Sequence, residues 1–86
     1  MVNKLEYKVV DVLKLIEEVF KLCKRLNLKM VGWIDNINQL RLFIYDSREH
    51  KLHLVLTIND LVVTLAYVNE DDVVKTFKKL VEMFST

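Results

Sequence analysis

The sequence predicts an α+β fold: a four-stranded antiparallel meander sheet with one helix before it, one after it, and both helices packed on one face. Three observations predict it. Apolar residues recur at helical spacing in one segment near each end, and they alternate with period two in four segments between. The connections joining those four segments are too short for anything but antiparallel neighbours.

The first helix runs from Asp11 to Leu26. At 100° per residue Val12, Leu13, Leu15, Ile16, Val19, Phe20, Leu22, Cys23 and Leu26 share one side, and Lys14, Glu17, Glu18, Lys21, Lys24 and Arg25 share the other. That apolar arc spans about 180°, wider than a surface helix needs, so the helix is expected to be well buried. The residues before it admit two readings. Asn3 with Glu6 forms a capping box that starts the helix early, whereas the alternation Leu5, Tyr7, Val9 suits an extra N-terminal strand with Asp11 as the cap.

Strands are predicted over Leu28–Asp35, Gln39–Asp46, Lys51–Ile58 and Leu61–Val68, all rich in β-branched and aromatic residues. Asn36-Ile37-Asn38, Ser47-Arg48-Glu49-His50 and Asn59-Asp60 make the turns, the last as a two-residue hairpin. A second helix begins near Glu70, with Val73, Val74, Phe77, Leu80, Val81 and Phe84 on one stripe. Asn69 is its expected cap, and Glu70, Asp71 and Asp72 suit the positive end of the helix dipole.

Alternation then assigns the sheet faces. Leu40, Leu42 and Ile44 share a face with Leu52, Leu54, Leu56 and Ile58 and, if Ile58 opposes Leu61, with Leu61, Val63, Leu65 and Tyr67. This face is the predicted core, covered by Ile16, Phe20, Phe77 and Val81. Gly32 is expected on it with Met30 and Ile34, where a missing side chain lets a helix approach. That placement rests on a three-residue turn at Asn36-Ile37-Asn38; a two-residue turn would put Trp33 in the core instead.

The opposite face carries Val31, Trp33, Arg41, Phe43, Tyr45, His53, Val55, Thr57, Val62, Thr64, Ala66 and Val68. Four strands about 4.8 Å apart make a sheet about 19 Å wide, which two helices of about 10 Å cover on one side only. A mixed aromatic and aliphatic strip of roughly 400 Å² is therefore left open, within the range where a monomer's largest patch is often functional. Trp33, Arg41, Phe43, Tyr45, His53 and Val55 are its candidate interaction residues. A second candidate is the last strand, which holds no charge, proline or glycine although a meander leaves it at an edge. Val62, Thr64 and Ala66 form that candidate interaction edge, to be paired by the N-terminal segment or by another chain.

Composition limits what such surfaces serve. Eighty-six residues with a single proline-free, glycine-poor pattern fit one domain ordered nearly end to end. The lone Cys23 excludes an internal disulfide framework and makes a cytoplasmic setting the default. No run approaches the roughly 20 apolar residues of a membrane span, and Met1-Val2-Asn3-Lys4 does not open like a signal peptide. No membrane association is therefore expected. A net charge of +1 lacks the basic excess of a dedicated nucleic-acid binder.

Chemistry-bearing constellations are few. His50 and His53 stand near Asp46 and Glu49, but residues three apart in an extended segment point to opposite faces, so they do not converge on a metal. Cys23 sits in the apolar arc, where a thiol is inert. Glu70-Asp71-Asp72 reads as a helix cap, and Lys21, Lys24, Arg25 and Lys29 as a solvated helix stripe. One glycine excludes glycine-rich phosphate loops. No cofactor, metal or catalytic group is expected, and the chain reads as a non-enzymatic interaction module. A homodimer is the expected assembly and another protein partner a variant of it. The alternative is single-stranded nucleic acid stacked on Trp33, Phe43 and Tyr45 beside Arg41.

Overall fold

The computed structural model describes residues 1–36 and 38–86. It contains β1 (Asn3–Lys8), α1 (Val12–Arg25), β2 (Lys29–Asn36), β3 (Gln39–Asp46), β4 (Lys51–Asn59), β5 (Val62–Tyr67) and α2 (Asp72–Phe84). The strands form one antiparallel sheet in the order β1-β5-β4-β3-β2. The α+β class, the meander of β2 to β5 and the two helices agree with the sequence. The helix-first order does not: of the two readings of the N-terminal segment the structure shows the extra strand, not a helix started by Asn3 and Glu6, giving β-α-β-β-β-β-α rather than α-β-β-β-β-α.

The N-terminal segment is a strand because its alternation matches the sheet it joins. Leu5 opposes Leu65 and Tyr7 opposes Val63 on the core side, while Lys4, Glu6 and Lys8 point to the other face. Asp11 caps α1, its Oδ1 accepting from the Lys14 N–H at 3.0 Å. At the far end Asn27 adopts φ 57°, and the Leu28 N–H reaches back to the Cys23 carbonyl at 2.8 Å. The left-handed residue satisfies the last carbonyls and turns the chain into β2.

The core lies between the sheet and the helices. Leu15, Val19, Leu22 and Cys23 of α1 and Val74, Phe77 and Val81 of α2 are buried against Leu42, Ile44, Leu54, Leu56, Ile58, Val63 and Leu65. α1 packs along β2, and α2 lies over β4 and β5. Leu54→Ala is expected to cost about 2–5 kcal/mol, because the side chain is fully enclosed and its removal leaves a cavity. Denaturant titration checks it; a loss below about 1 kcal/mol would contradict that packing.

Several sequence expectations are corrected. The β4–β5 hairpin turns at Asp60-Leu61, not Asn59-Asp60: Asn59 opposes Val62, and Asp60 takes the left-handed φ of 57° that such turns require. The register moves by two residues, so Val63 and Leu65 keep the predicted face while Leu61 becomes a half-exposed turn residue. Asp71, not Asn69, caps α2 by accepting from the Val74 N–H at 2.9 Å.

A β-bulge alters β4. Ile44 opposes Leu54 but Tyr45 opposes Leu52, which leaves His53 as the extra residue. Below the bulge the faces exchange. Leu52 leaves the predicted core face and is exposed, while His53 leaves the predicted interaction face and is buried at 8% exposure. Period-two counting fails here because one inserted residue reverses every side chain beyond it.

Trp33 opposes Arg41 on the open face, as expected, and Met30, Gly32 and Ile34 share the helix side with Ile44, Leu42 and Leu40. A bulge between Ile34 and Asn36 ends this regular register. The predicted turn Asn36-Ile37-Asn38 includes Ile37, which lies outside the described residues. No helix approaches Gly32, however. A Cβ built there would meet only the Leu42 and Leu40 side chains, at 3.7 and 3.8 Å.

Candidate interaction surface

The face away from the helices is built in cross-strand rows. One runs Lys4, Ala66, Val55, Phe43, Val31, and the next runs Glu6, Thr64, Thr57, Arg41, Trp33. Tyr45 and Leu52 extend the first row's apolar centre towards the bulge. Charge collects at the rims, so the middle of the face is aliphatic and aromatic with no charged side chain between Ala66 and Val31. Phe43, Tyr45 and Val55 are half-buried by their neighbours, whereas Trp33 is 60% exposed.

Arg41 is not a free cation. Its Nε lies 2.7 Å from Asp35 Oδ2, which also accepts from the Gln39 side-chain amide at 3.2 Å. The basic stripe of the sequence lies elsewhere: Lys21 pairs with Glu17 and Glu18 on α1, and Lys24 stands over the Phe20 ring at 4.9 Å. Of that stripe only Lys29 belongs to the sheet.

The predicted interaction edge is occupied. Val62, Thr64 and Ala66 oppose Lys8, Glu6 and Lys4 of β1 on one side and β4 on the other, so the uncharged strand is interior to the sheet. This corrects its reading as a surface for another chain: of the two partners expected for it, the N-terminal segment takes the place, with Asn3 opposite Tyr67 and Lys8 opposite Val62. The new edge, β1, is blunted. It carries Lys4, Glu6 and Lys8, and the Thr86 N–H donates to the Lys8 carbonyl at 2.9 Å.

The other edge, β2, is not blunted. Met30-Val31-Gly32-Trp33-Ile34 holds no charge, proline or bulge, and of the five only Met30 is partly buried. Ile34 is 74% exposed although it points to the helix side. The cause is a shortage of cover. A fifth strand widens the sheet to about 24 Å, while two helices still span only about 20 Å.

The adjacent flank of α1 is also bare. Glu18, Leu22 and Arg25 line a cleft shared with Leu80 and Met83 of α2. The opposite flank, turned towards β2, holds Leu13, Ile16 and Phe20. Leu13 is 80% and Phe20 47% exposed, which corrects the placement of Phe20 over the core. Val12 and Ile16 close an open groove with Ile34, Leu40 and Ile58 under the start of α1.

His53 belongs to a separate polar cluster on the helix side. Its Nδ1 lies 2.9 Å from Asp71 Oδ2, and Lys51 Nζ reaches the same oxygen at 2.9 Å. A carboxylate only accepts, so the ring nitrogen donates. Burial alone pushes the Asp71 carboxyl up, but the Val74 N–H, Lys51 and His53 outweigh it and hold it at about 2. The bulge makes this cluster, since only the extra residue turns His53 towards the α2 cap. Sequence reasoning missed it because Asp71 is 18 positions away.

His50 lies exposed in the β3–β4 turn with φ 50°, apart from His53. Among the described residues no three of His, Cys, Asp and Glu are grouped to hold a metal ion. Burial pushes the Cys23 thiol up to about 11, which leaves it protonated and poorly nucleophilic at neutral pH. Among the described residues no helix is long and apolar enough to cross a membrane. No family model, curated protein or solved structure matches this chain.

Proposed function

We propose that the chain is a non-enzymatic self-association module whose interaction surface is centred on β2 and the adjoining open face. One observation carries this reading. Five of the large apolar side chains left exposed by the fold gather around a single strand, Val31 and Trp33 on one face, Ile34 on the other, Leu13 and Phe20 on the helix alongside, while Leu52, Leu61, Val68 and Met83 lie elsewhere. Scattered apolar residues are ordinary on a protein surface, but a contiguous group on both sides of an unblunted edge favours an interface. A second copy fits best, because a two-fold axis lets one patch serve both subunits.

Sedimentation equilibrium tests it. At high micromolar concentration the expected mass is twice the 10.2 kDa of the chain. A monomer there would overturn self-association. If a monomer's Trp33 fluorescence is also quenched by single-stranded RNA or DNA at low salt, the nucleic-acid reading takes its place. Pairing of Arg41 with Asp35 and the remoteness of the lysine stripe weigh against that alternative.

A further inference from the structure

We infer that two copies pair through β2 in one specific antiparallel register, with the two-fold axis at Gly32, to form a continuous ten-stranded sheet. This rests on the self-association reading and adds the partner surface, its register and its geometry.

The register follows from β2 itself. In an antiparallel pair related by a two-fold axis through the sheet, directly opposed residues point to the same face, so the axis must pass beside a residue rather than between two. Centring it on Gly32 opposes Val31 to Trp33 of the second copy on the open face. It opposes Met30 to Ile34 on the helix side, and Lys29 to Asp35 at each end. Every apolar residue meets an apolar one and each lysine meets a carboxylate. Lys29 makes no ion pair among the described residues, and Asp35 Oδ1 is left over by the contacts of Oδ2 with Arg41 and Gln39. The neighbouring registers lack this match. Centring on Val31 sets Lys29 against Trp33, and centring on Trp33 sets Val31 against Asp35.

Gly32 suits the axis. Its backbone adopts no positive φ, and no helix packs on it, so its lack of a side chain serves no turn or close approach within the chain. At the axis, two glycines opposite one another leave the backbone free to approach and the space above open.

The area argument points the same way. Seven paired residues span about 24 Å, and a sheet edge about 10 Å thick yields roughly 500 Å² from both copies. A stable interface needs about 1,200–2,000 Å². The two-fold axis brings the α1 helices of both copies to the same side of the joined sheet, next to one another. Leu13, Ile16 and Phe20 then face their own symmetry mates and contribute the remaining contact. The half-exposed Phe20 and nearly bare Leu13 acquire a neighbour by the same operation that pairs the strands.

Disulfide trapping tests the register. A Cβ at position 32 meets only ordinary contacts, so Gly32→Cys should fold. Across the axis its sulfur has its own mate opposite, with Cα atoms within the 4.4–6.8 Å that a disulfide spans. Ile34→Cys is the control: residue 34 opposes residue 30 of the copy, which puts the two position-34 side chains about 13 Å apart along the strands. In a glutathione redox buffer, Gly32→Cys is expected to form covalent dimer at least tenfold faster than Ile34→Cys, with wild type, whose Cys23 is buried, forming none. Ile34→Lys should weaken the wild-type dimer at least tenfold, and Phe43→Lys, one strand inside the edge, should leave it intact. Equal trapping at both positions, or a dimer broken by Phe43→Lys and spared by Ile34→Lys, would overturn the β2 register while leaving self-association standing. A wild-type monomer at high micromolar concentration overturns both.

Discussion

Phe77→Ala is expected to remove about 3–5 kcal/mol of stability, the range for truncating a buried aromatic side chain. Phe77 is the largest of the fully buried side chains and projects from the middle of α2 onto the sheet, between Val74 and Val81. Its removal leaves a void that the β4 and β5 backbones cannot close, since their ladders hold on both sides. A domain of this size has about 5–15 kcal/mol in all, so one substitution removes a large part of the margin. Urea denaturation reads the effect as a lower midpoint with an unchanged slope. Leu13→Ala is the contrast: its side chain is nearly bare, so the change in monomer stability should stay within about 0.5 kcal/mol. Similar losses for both would mean that α2 is not seated as described.

Helices, strands and faces were legible where a pattern repeated over several residues. The α1 wheel, the alternation from Leu40 to Ile44, and the parity of Val63 and Leu65 each rest on many side chains that agree. What sequence could not show depends on single residues or on counting whole elements. One inserted residue at His53 reversed Leu52 and made a buried cluster with Asp71, and no composition marks a bulge. Placing the turn at Asn59-Asp60 instead of Asp60-Leu61 shifted the register by two, and the faces survived only because two is the side-chain period.

The candidate surface was half legible for a related reason. The charge-free β5 signalled a strand that must be paired on both sides, and the structure pairs it, but with β1 of the same chain. Bringing β1 into the sheet adds width that two helices cannot cover. β2 is an edge with or without β1, and the cover runs short over it: Trp33 had been assigned to the open face and Ile34 to a covered one, yet Ile34 is 74% exposed. That outcome follows from the number of strands and helices in the finished fold, not from any local stretch of residues. The open face, by contrast, needed only alternation, and Phe43, Tyr45, Val55 and Arg41 lie on it.

Asp71→Ala should cost about 2–4 kcal/mol at neutral pH and progressively less in acid. The carboxylate caps α2 through the Val74 N–H, a contact whose loss costs about 0.5–2 kcal/mol. It also satisfies the buried His53 ring at 2.9 Å, and orphaning such a donor adds about 1–3 kcal/mol. The sign of the pH effect follows from the depressed acidity. In the unfolded chain the group titrates near 3.9, and in the folded chain at about 2, so its charge stabilises the fold at every pH above the unfolded value. The contribution, about 2–3 kcal/mol when fully present, declines from about pH 4 and is largely lost as pH falls through 2. Wild type should therefore lose its advantage over Asp71→Ala across that window, measured as converging urea midpoints. Asp71→Asn separates the parts, because asparagine caps a helix well but carries no charge. It should recover much of the capping contribution at pH 7 while showing no such acid dependence of its own at this site. A gap between wild type and Asp71→Ala that stays constant from pH 7 to pH 2 would show that the carboxylate's charge does not stabilise the α2 cap.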